Sequence, residues 1–119
     1  MSTGNMAFAA DGRTLVSASF EVRLIDVASG RERLRIPNSE RLDSLYRPVD
    51  YSPDGRLVAA LHGDGVSVWN AEMGERLRTF SGHRGPISSL AFAPDGRTLA
   101  TASSDTTVLI WTVPTLPMK

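Results

Sequence analysis

Cysteine is absent, which excludes disulfides, thiolate metal sites and a cysteine nucleophile together. Net charge is absent as well: 13 basic residues balance 13 acidic ones, so no bulk field gathers nucleic acid, anionic lipid or an acidic substrate. Lysine is almost missing. Lys119 is its one occurrence, which reads as codon usage rather than as a selected arginine surface. No apolar run approaches the roughly 18 residues of a membrane span, and Met1 to Asn5 lacks the basic start and apolar stretch of a secretory signal. The expectation is a cytoplasmic protein with neither nucleic acid nor membrane among its partners. What is present is ordinary for a folded chain: 41% hydrophobic and 22% charged residues among 119, enough for one domain with a modest core. Ten glycines and seven prolines point to many turns.

The chain repeats itself. Ala7-Phe8-Ala9-Ala10-Asp11-Gly12-Arg13-Thr14-Leu15 returns as Asp50-Tyr51-Ser52-Pro53-Asp54-Gly55-Arg56-Leu57 and again as Ala91-Phe92-Ala93-Pro94-Asp95-Gly96-Arg97-Thr98-Leu99, with the glycines 43 and 41 residues apart. A second apolar run follows each copy, at 22–26, 66–70 and 108–112. A third element, Arg33-Leu34-Arg35-Ile36, recurs as Arg76-Leu77-Arg78-Thr79-Phe80. These segments are short, rich in Val, Ile, Leu, Thr and aromatics, and separated by turn residues every eight to twelve positions, so they read as strands. In Pro-Asp-Gly the proline presets φ, the aspartate accepts local backbone bonds and the glycine takes the left-handed conformation that closes a hairpin. Arg and Glu alternate on this third element in the first and second units, which suits an outer edge strand.

The third unit carries Ser81-Gly82-His83, Leu90-Ala91-Phe92-Ala93-Pro94-Asp95-Gly96, Thr101-Ala102-Ser103-Ser104-Asp105 and Val108-Leu109-Ile110-Trp111 in order. With these motifs the chain resembles the WD40 repeat family of β-propellers, over about residues 6–112. Two departures stand out. The dipeptide that names the family is Trp69-Asn70 and Trp111-Thr112, with Ile25-Asp26 in the first unit, and only the second and third units keep the tryptophan.

The resemblance implies an all-β fold of four-stranded antiparallel blades, with strands lettered a to d from the inside outwards. Strands are expected at 6–9, 14–18, 22–26 and 32–36, then 47–52, 57–61, 66–69 and 76–80, then 86–93, 98–103 and 107–112. The units are a degenerate first blade at 1–36, a linker at 37–46, a second blade at 47–80, a third blade without its outer strand at 81–113 and a tail at 114–119. Eleven strands make about 2.75 blades, too few to close a ring that usually needs about four to eight. The chain opens almost directly on a strand a, with no glycine-histidine segment before it, so a cut from a longer array is expected. Both end blades are expected to expose apolar faces, open to further blades or to self-association.

Chemistry-bearing residues are few. His62 beside Asp64 is too sparse for a metal, since zinc wants four good ligands and calcium six or more oxygens. Gly63-Asp64-Gly65 and Gly82-His83-Arg84-Gly85 precede strands, so they lack the helix N-terminus of a phosphate cradle. No cofactor is expected. His83, Ser103 and Asp105 could suggest nucleophilic catalysis by a hydrolase, but nothing in the sequence supplies oxyanion donors. The resemblance implies instead a structural tetrad, in which Asp105 accepts from His83, His83 reaches the Thr101 hydroxyl, and that hydroxyl meets the Trp111 indole. It also implies a non-catalytic protein-interaction scaffold whose d–a and b–c loops meet partners, which makes His62, Arg84, Ser104 and Thr106 the candidate contact positions. A fragment of a larger propeller with no independent function is the alternative.

Overall fold

The computed structural model describes residues 6–18, 21–37, 48–62 and 65–114, and of Pro37 and His62 the backbone alone. Eleven strands form among the described residues, and no helix. They are β1 (Met6–Phe8), β2 (Thr14–Ala18), β3 (Glu21–Asp26), β4 (Glu32–Pro37), β5 (Val49–Tyr51), β6 (Leu57–His62), β7 (Gly65–Asn70), β8 (Arg76–Phe80), β9 (Ile87–Phe92), β10 (Thr98–Ser103) and β11 (Val108–Thr112). Sequential strands pair antiparallel into three sheets, β1-β2-β3-β4, β5-β6-β7-β8 and β9-β10-β11.

The first hairpin of every sheet is built the same way. Gly55 has φ +75° and its N–H bonds to the Ser52 carbonyl, while Asp54 Oδ1 accepts from the Arg56 N–H. Gly96 with Asp95, and Gly12 with Asp11, repeat that geometry, although Ala10 stands where the other copies have proline. The aspartate and glycine therefore suffice for the turn, and proline only restricts the unfolded chain.

The register sorts the apolar residues into two faces per sheet. Ala18 pairs with Val22 and Val16 with Leu24 on one face of the first sheet. That face packs on Tyr51, Val58 and Trp69 of the second sheet to form one core cluster. The other face of the second sheet, with Ala59, Leu61, Val66 and Val68, packs on Leu90 and Leu99 of the third to form another. The second sheet is thus covered on both faces, which explains why β6 and β7 are buried almost throughout and lack the polar alternation of half-exposed strands.

Polar contacts also cross the seams between sheets. Arg33 reaches from β4 to the Thr14 hydroxyl at 3.5 Å and to the Ala71 carbonyl at 3.4 Å, beside Tyr51, whose hydroxyl is pushed up in pKa by burial. Asp50 Oδ2 on β5 accepts from the Phe92 N–H on β9 at 2.9 Å.

Strand ends differ from expectation by a residue or two. The second strand a ends at Tyr51, one residue early, where the Ser52 N–H and hydroxyl bond the Leu57 carbonyl and Asp54. His62, expected in a hairpin turn, ends β6 opposite Gly65. Of the expected linker at 37–46, Pro37 ends β4 and the rest lies outside the described residues, as does the tail beyond Pro114.

Candidate functional site

The polar residues singled out by the sequence converge at one end of the third sheet. Thr101 sits in mid-β10 and is 1% exposed. Its Oγ1 accepts from the Trp111 indole N–H at 2.9 Å and lies 2.8 Å from His83 Nε2. The Asp105 carboxylate beside Nδ1 can only accept, so the ring proton sits on Nδ1, and Nε2 of the neutral ring accepts the Thr101 hydroxyl hydrogen. That proton faces two acceptors: Thr107 Oγ1 at 3.0 Å and Asp105 Oδ2 at 3.4 Å. The Thr107 hydroxyl in turn donates to Asp105 Oδ1 at 2.5 Å. A single direction of donation therefore runs from Trp111 through Thr101, His83 and Thr107 to Asp105. Each bond is worth about 1 kcal/mol net, but the His83 side chain is almost wholly buried and would leave a costly unpaired nitrogen if a link were lost.

Thr107 was not singled out by the sequence reading. The signal was available, because Asp105-Thr106-Thr107 places a hydroxyl two residues after a carboxylate, the spacing of a local side-chain turn.

Asp105 ties loops as well as closing the chain. Oδ1 also accepts from the Thr107 N–H and Oδ2 from the Arg84 N–H, both at 2.8 Å. These bonds hold its carboxyl well below the usual carboxylate range, with the Thr107 hydroxyl the largest cause and the Arg84 N–H next. The segment before β9 and the turn between β10 and β11 are further joined by the Ser104 N–H on the Pro86 carbonyl at 3.1 Å. Gly85 makes the approach possible, since a Cβ there would stand 2.8 Å from Ser104 Oγ. Arg84, Ser104 and Thr106 are thereby gathered, exposed, on one edge. Thr106 has φ +74°, an uncommon conformation for a β-branched residue. His62 belongs to the equivalent end of the second sheet, and its side chain lies outside the described residues.

Ser103 does not reach His83. Its hydroxyl accepts from the Asp105 N–H at 3.1 Å, and both ring nitrogens of His83 are taken by Thr101, Thr107 and Asp105. A serine–histidine pair for nucleophilic attack is not assembled.

The outer side of Trp111 is closed by the second sheet. Phe80 of β8 stacks on it with ring centroids 5.0 Å apart, and Arg78 lies over the Phe80 ring at 5.9 Å. Gly82 leaves room for the indole, whose Cη2 would stand 3.3 Å from a Cβ there.

Residues 74–112, which span β8 to β11, match the family model described as WD domain, G-beta repeat. The structure titled "Structure of U3-55K" superposes with a TM-score of 0.79 at 28% identity, covering 91% of this chain and 35% of that one. The chain is similar to WD40-repeat proteins, and residues 74–112 are a WD40 repeat. The solved WD40 repeats of RRP9 agree, with a TM-score of 0.76 at 28% identity over 91% of this chain and 34% of theirs. Among curated WD40-repeat relatives, the periodic tryptophan protein 2 homolog of Neurospora crassa is 43% identical over 76 residues, 62% of this chain. The chain spans 8% of that relative's length. Its three sheets are WD40 blades in an incomplete propeller.

The cytoplasmic expectation is corrected by these likenesses. Periodic tryptophan protein 2, U3-55K and RRP9 are nucleolar proteins, so a missing signal and a missing membrane span do not place a WD40 chain of this kind in the cytoplasm. No helix among the described residues is long and apolar enough to cross a membrane.

Proposed function

We propose that this chain acts as a non-catalytic protein-interaction scaffold, with Arg84, Ser104 and Thr106 on its contact edge and His62 at the matching position of the second blade. WD40-repeat proteins in general are non-enzymatic scaffolds that bind other proteins. The observation that carries the reading is the double tie between the two loops, Arg84 N–H to Asp105 and Ser104 N–H to Pro86. It fixes exposed side chains on a rigid edge, and rigidity lowers the entropy lost on binding. Arginine is also a residue type enriched in binding hot spots. In this reading His83, Thr101, Asp105 and Trp111, joined by Thr107, hold the edge in shape and react with nothing. In this reading the repeat units are 1–36, 47–80 and 81–113, one sheet to each apart from Pro37, which ends β4.

Site-specific photocrosslinking tests the reading. A crosslinker placed at position 84 or 104 in cells of the source organism should capture a protein that the same group at position 95, on the opposite edge, does not. Equal capture at both edges, or none at 84 and 104, would overturn it.

A further inference from the structure

The Asp-Gly hairpin turn is built three times among the described residues, with small differences that bear on its chemical stability. An aspartate followed by glycine is prone to ring closure, because glycine has no side chain to shield its nitrogen from the neighbouring carboxyl carbon. Asp11-Gly12, Asp54-Gly55 and Asp95-Gly96 are such pairs, and all three aspartates are exposed. Asp64 precedes Gly65 in a fourth pair and lies outside the described residues.

Each turn guards both reacting groups. The glycine N–H, whose nitrogen would attack, donates to a carbonyl at 2.9 Å, that of Ala9, Ser52 or Ala93. The carboxylate to be attacked accepts from the N–H of Arg13, Arg56 or Arg97, at 2.8, 3.0 and 2.8 Å. Ring closure therefore starts from an opened turn, and its rate follows the population of that open state.

Two features make opening unequal. At the second turn Ser52 Oγ donates to Asp54 Oδ1 at 2.6 Å and accepts from the Leu57 N–H at 2.9 Å, so the hydroxyl ties the carboxylate to the start of β6. Ala9 and Ala93 hold the equivalent positions and have no hydroxyl. Proline precedes Asp54 and Asp95, whereas Ala10 precedes Asp11. Proline narrows the states that an opened chain can visit, which disfavours opening.

We propose that Asp11 and Asp95 are sites of spontaneous aspartate isomerisation, Asp11 the faster, and that the Ser52 hydroxyl spares Asp54. In the first step the glycine nitrogen bonds to the aspartate Cγ, the carboxyl hydroxyl and the amide proton leave together as water, and a succinimide ring closes. Water then adds to the original aspartate carbonyl carbon, whose bond to the glycine nitrogen breaks. The nitrogen keeps its bond to Cγ, so the chain now runs through the side chain and the former carbonyl is a free carboxylate. No atom is gained or lost overall, and water is the sole co-reactant. The product has an additional backbone carbon and a displaced carboxylate, so the turn cannot reclose as before.

Peptide mapping of the purified chain after warm incubation at neutral pH is the test, with isoaspartate separated by chromatography and assigned by electron-transfer fragmentation. Asp95 should isomerise about fivefold faster than Asp54, the factor of one net hydrogen bond, and Asp11 about threefold faster again for want of the proline. Ser52→Ala should raise the rate at Asp54 to that at Asp95, and Ala93→Ser should lower the rate at Asp95, each leaving Asp11 unchanged as an internal reference. Ala9 and Ala93 show that the turn forms with alanine at this position. Equal rates at the three aspartates of the wild type, a rate at Asp95 above that at Asp11, or a Ser52→Ala variant in which Asp54 stays slow or all three rates rise together, would each overturn the proposal. These turns lie on the edge opposite Arg84, so the outcome is independent of the scaffold reading.

Discussion

The Thr107 hydroxyl lies 3.0 Å from His83 Nδ1, nearer than the Asp105 carboxylate at 3.4 Å, and passes the histidine's bond on to that carboxylate. The buried ring is therefore anchored through a threonine that occupies the turn between β10 and β11. Thr107→Val keeps the shape and removes the link. It should lower stability by about 1 kcal/mol in urea denaturation, with Thr107→Ser close to wild type. Equal stability of the valine variant would show that the carboxylate alone holds the ring.

Acid should loosen the same turn. The Asp105 carboxyl sits below its ordinary value of 3.8 in the folded chain, so it stays charged to a lower pH than in the unfolded chain. Its contribution is complete above the unfolded value and is lost as pH falls from there towards the folded one. The thermal midpoint should fall between about pH 5 and pH 2, and Asp105→Asn should flatten that fall. Asp26, lowered chiefly by the Ser29 hydroxyl, should keep a residual slope in the variant. An unchanged slope would remove Asp105 from the account.

Thr106 is held at φ +74° at the tip of this turn. A β-branched residue pays for the left-handed region in steric strain, whereas asparagine visits it readily. Thr106→Asn should raise stability by about 0.5 to 1 kcal/mol, read as a higher urea midpoint at constant m-value. A lower midpoint would mean that the threonine side chain has a partner worth more than the strain.

Asp50 is the carboxylate that joins the second and third blades, accepting from the Phe92 N–H at 2.9 Å and from its neighbour Tyr51 at 2.9 Å. Asp50→Ala should cost about 1 to 2 kcal/mol, with Asp50→Asn intermediate because an amide oxygen still accepts. Amide hydrogen exchange at Phe92 supplies a local measure, and exchange there should speed up in the alanine variant. Unaltered exchange would place the bond outside the cooperative unit.

Strand order, the hairpin turns and the grouping into three units were legible in the sequence, because each rests on interactions between residues close in the chain. Asp-Gly turns form locally, and alternation of side chains follows from the two-residue period of a strand. Ala10 in the first turn shows how little the proline matters once those two residues are in place. The convergence of His83, Thr101, Asp105 and Trp111 was legible only through resemblance to a family, since no local rule brings residues 83 and 101 together.

Tertiary structure decided what depends on distance and on neighbours. It inserted Thr107 between His83 and Asp105, turned Ser103 towards a backbone N–H, carried β6 through His62, and set Asp50 against Phe92, 42 residues away. It also decided which apolar residues are core. Val66 and Val108 occupy the same place in their repeats, and sequence alone treats them alike. One is buried and the other exposed because burial belongs to the stack of sheets, and among the described residues the middle sheet alone has a neighbour on each face.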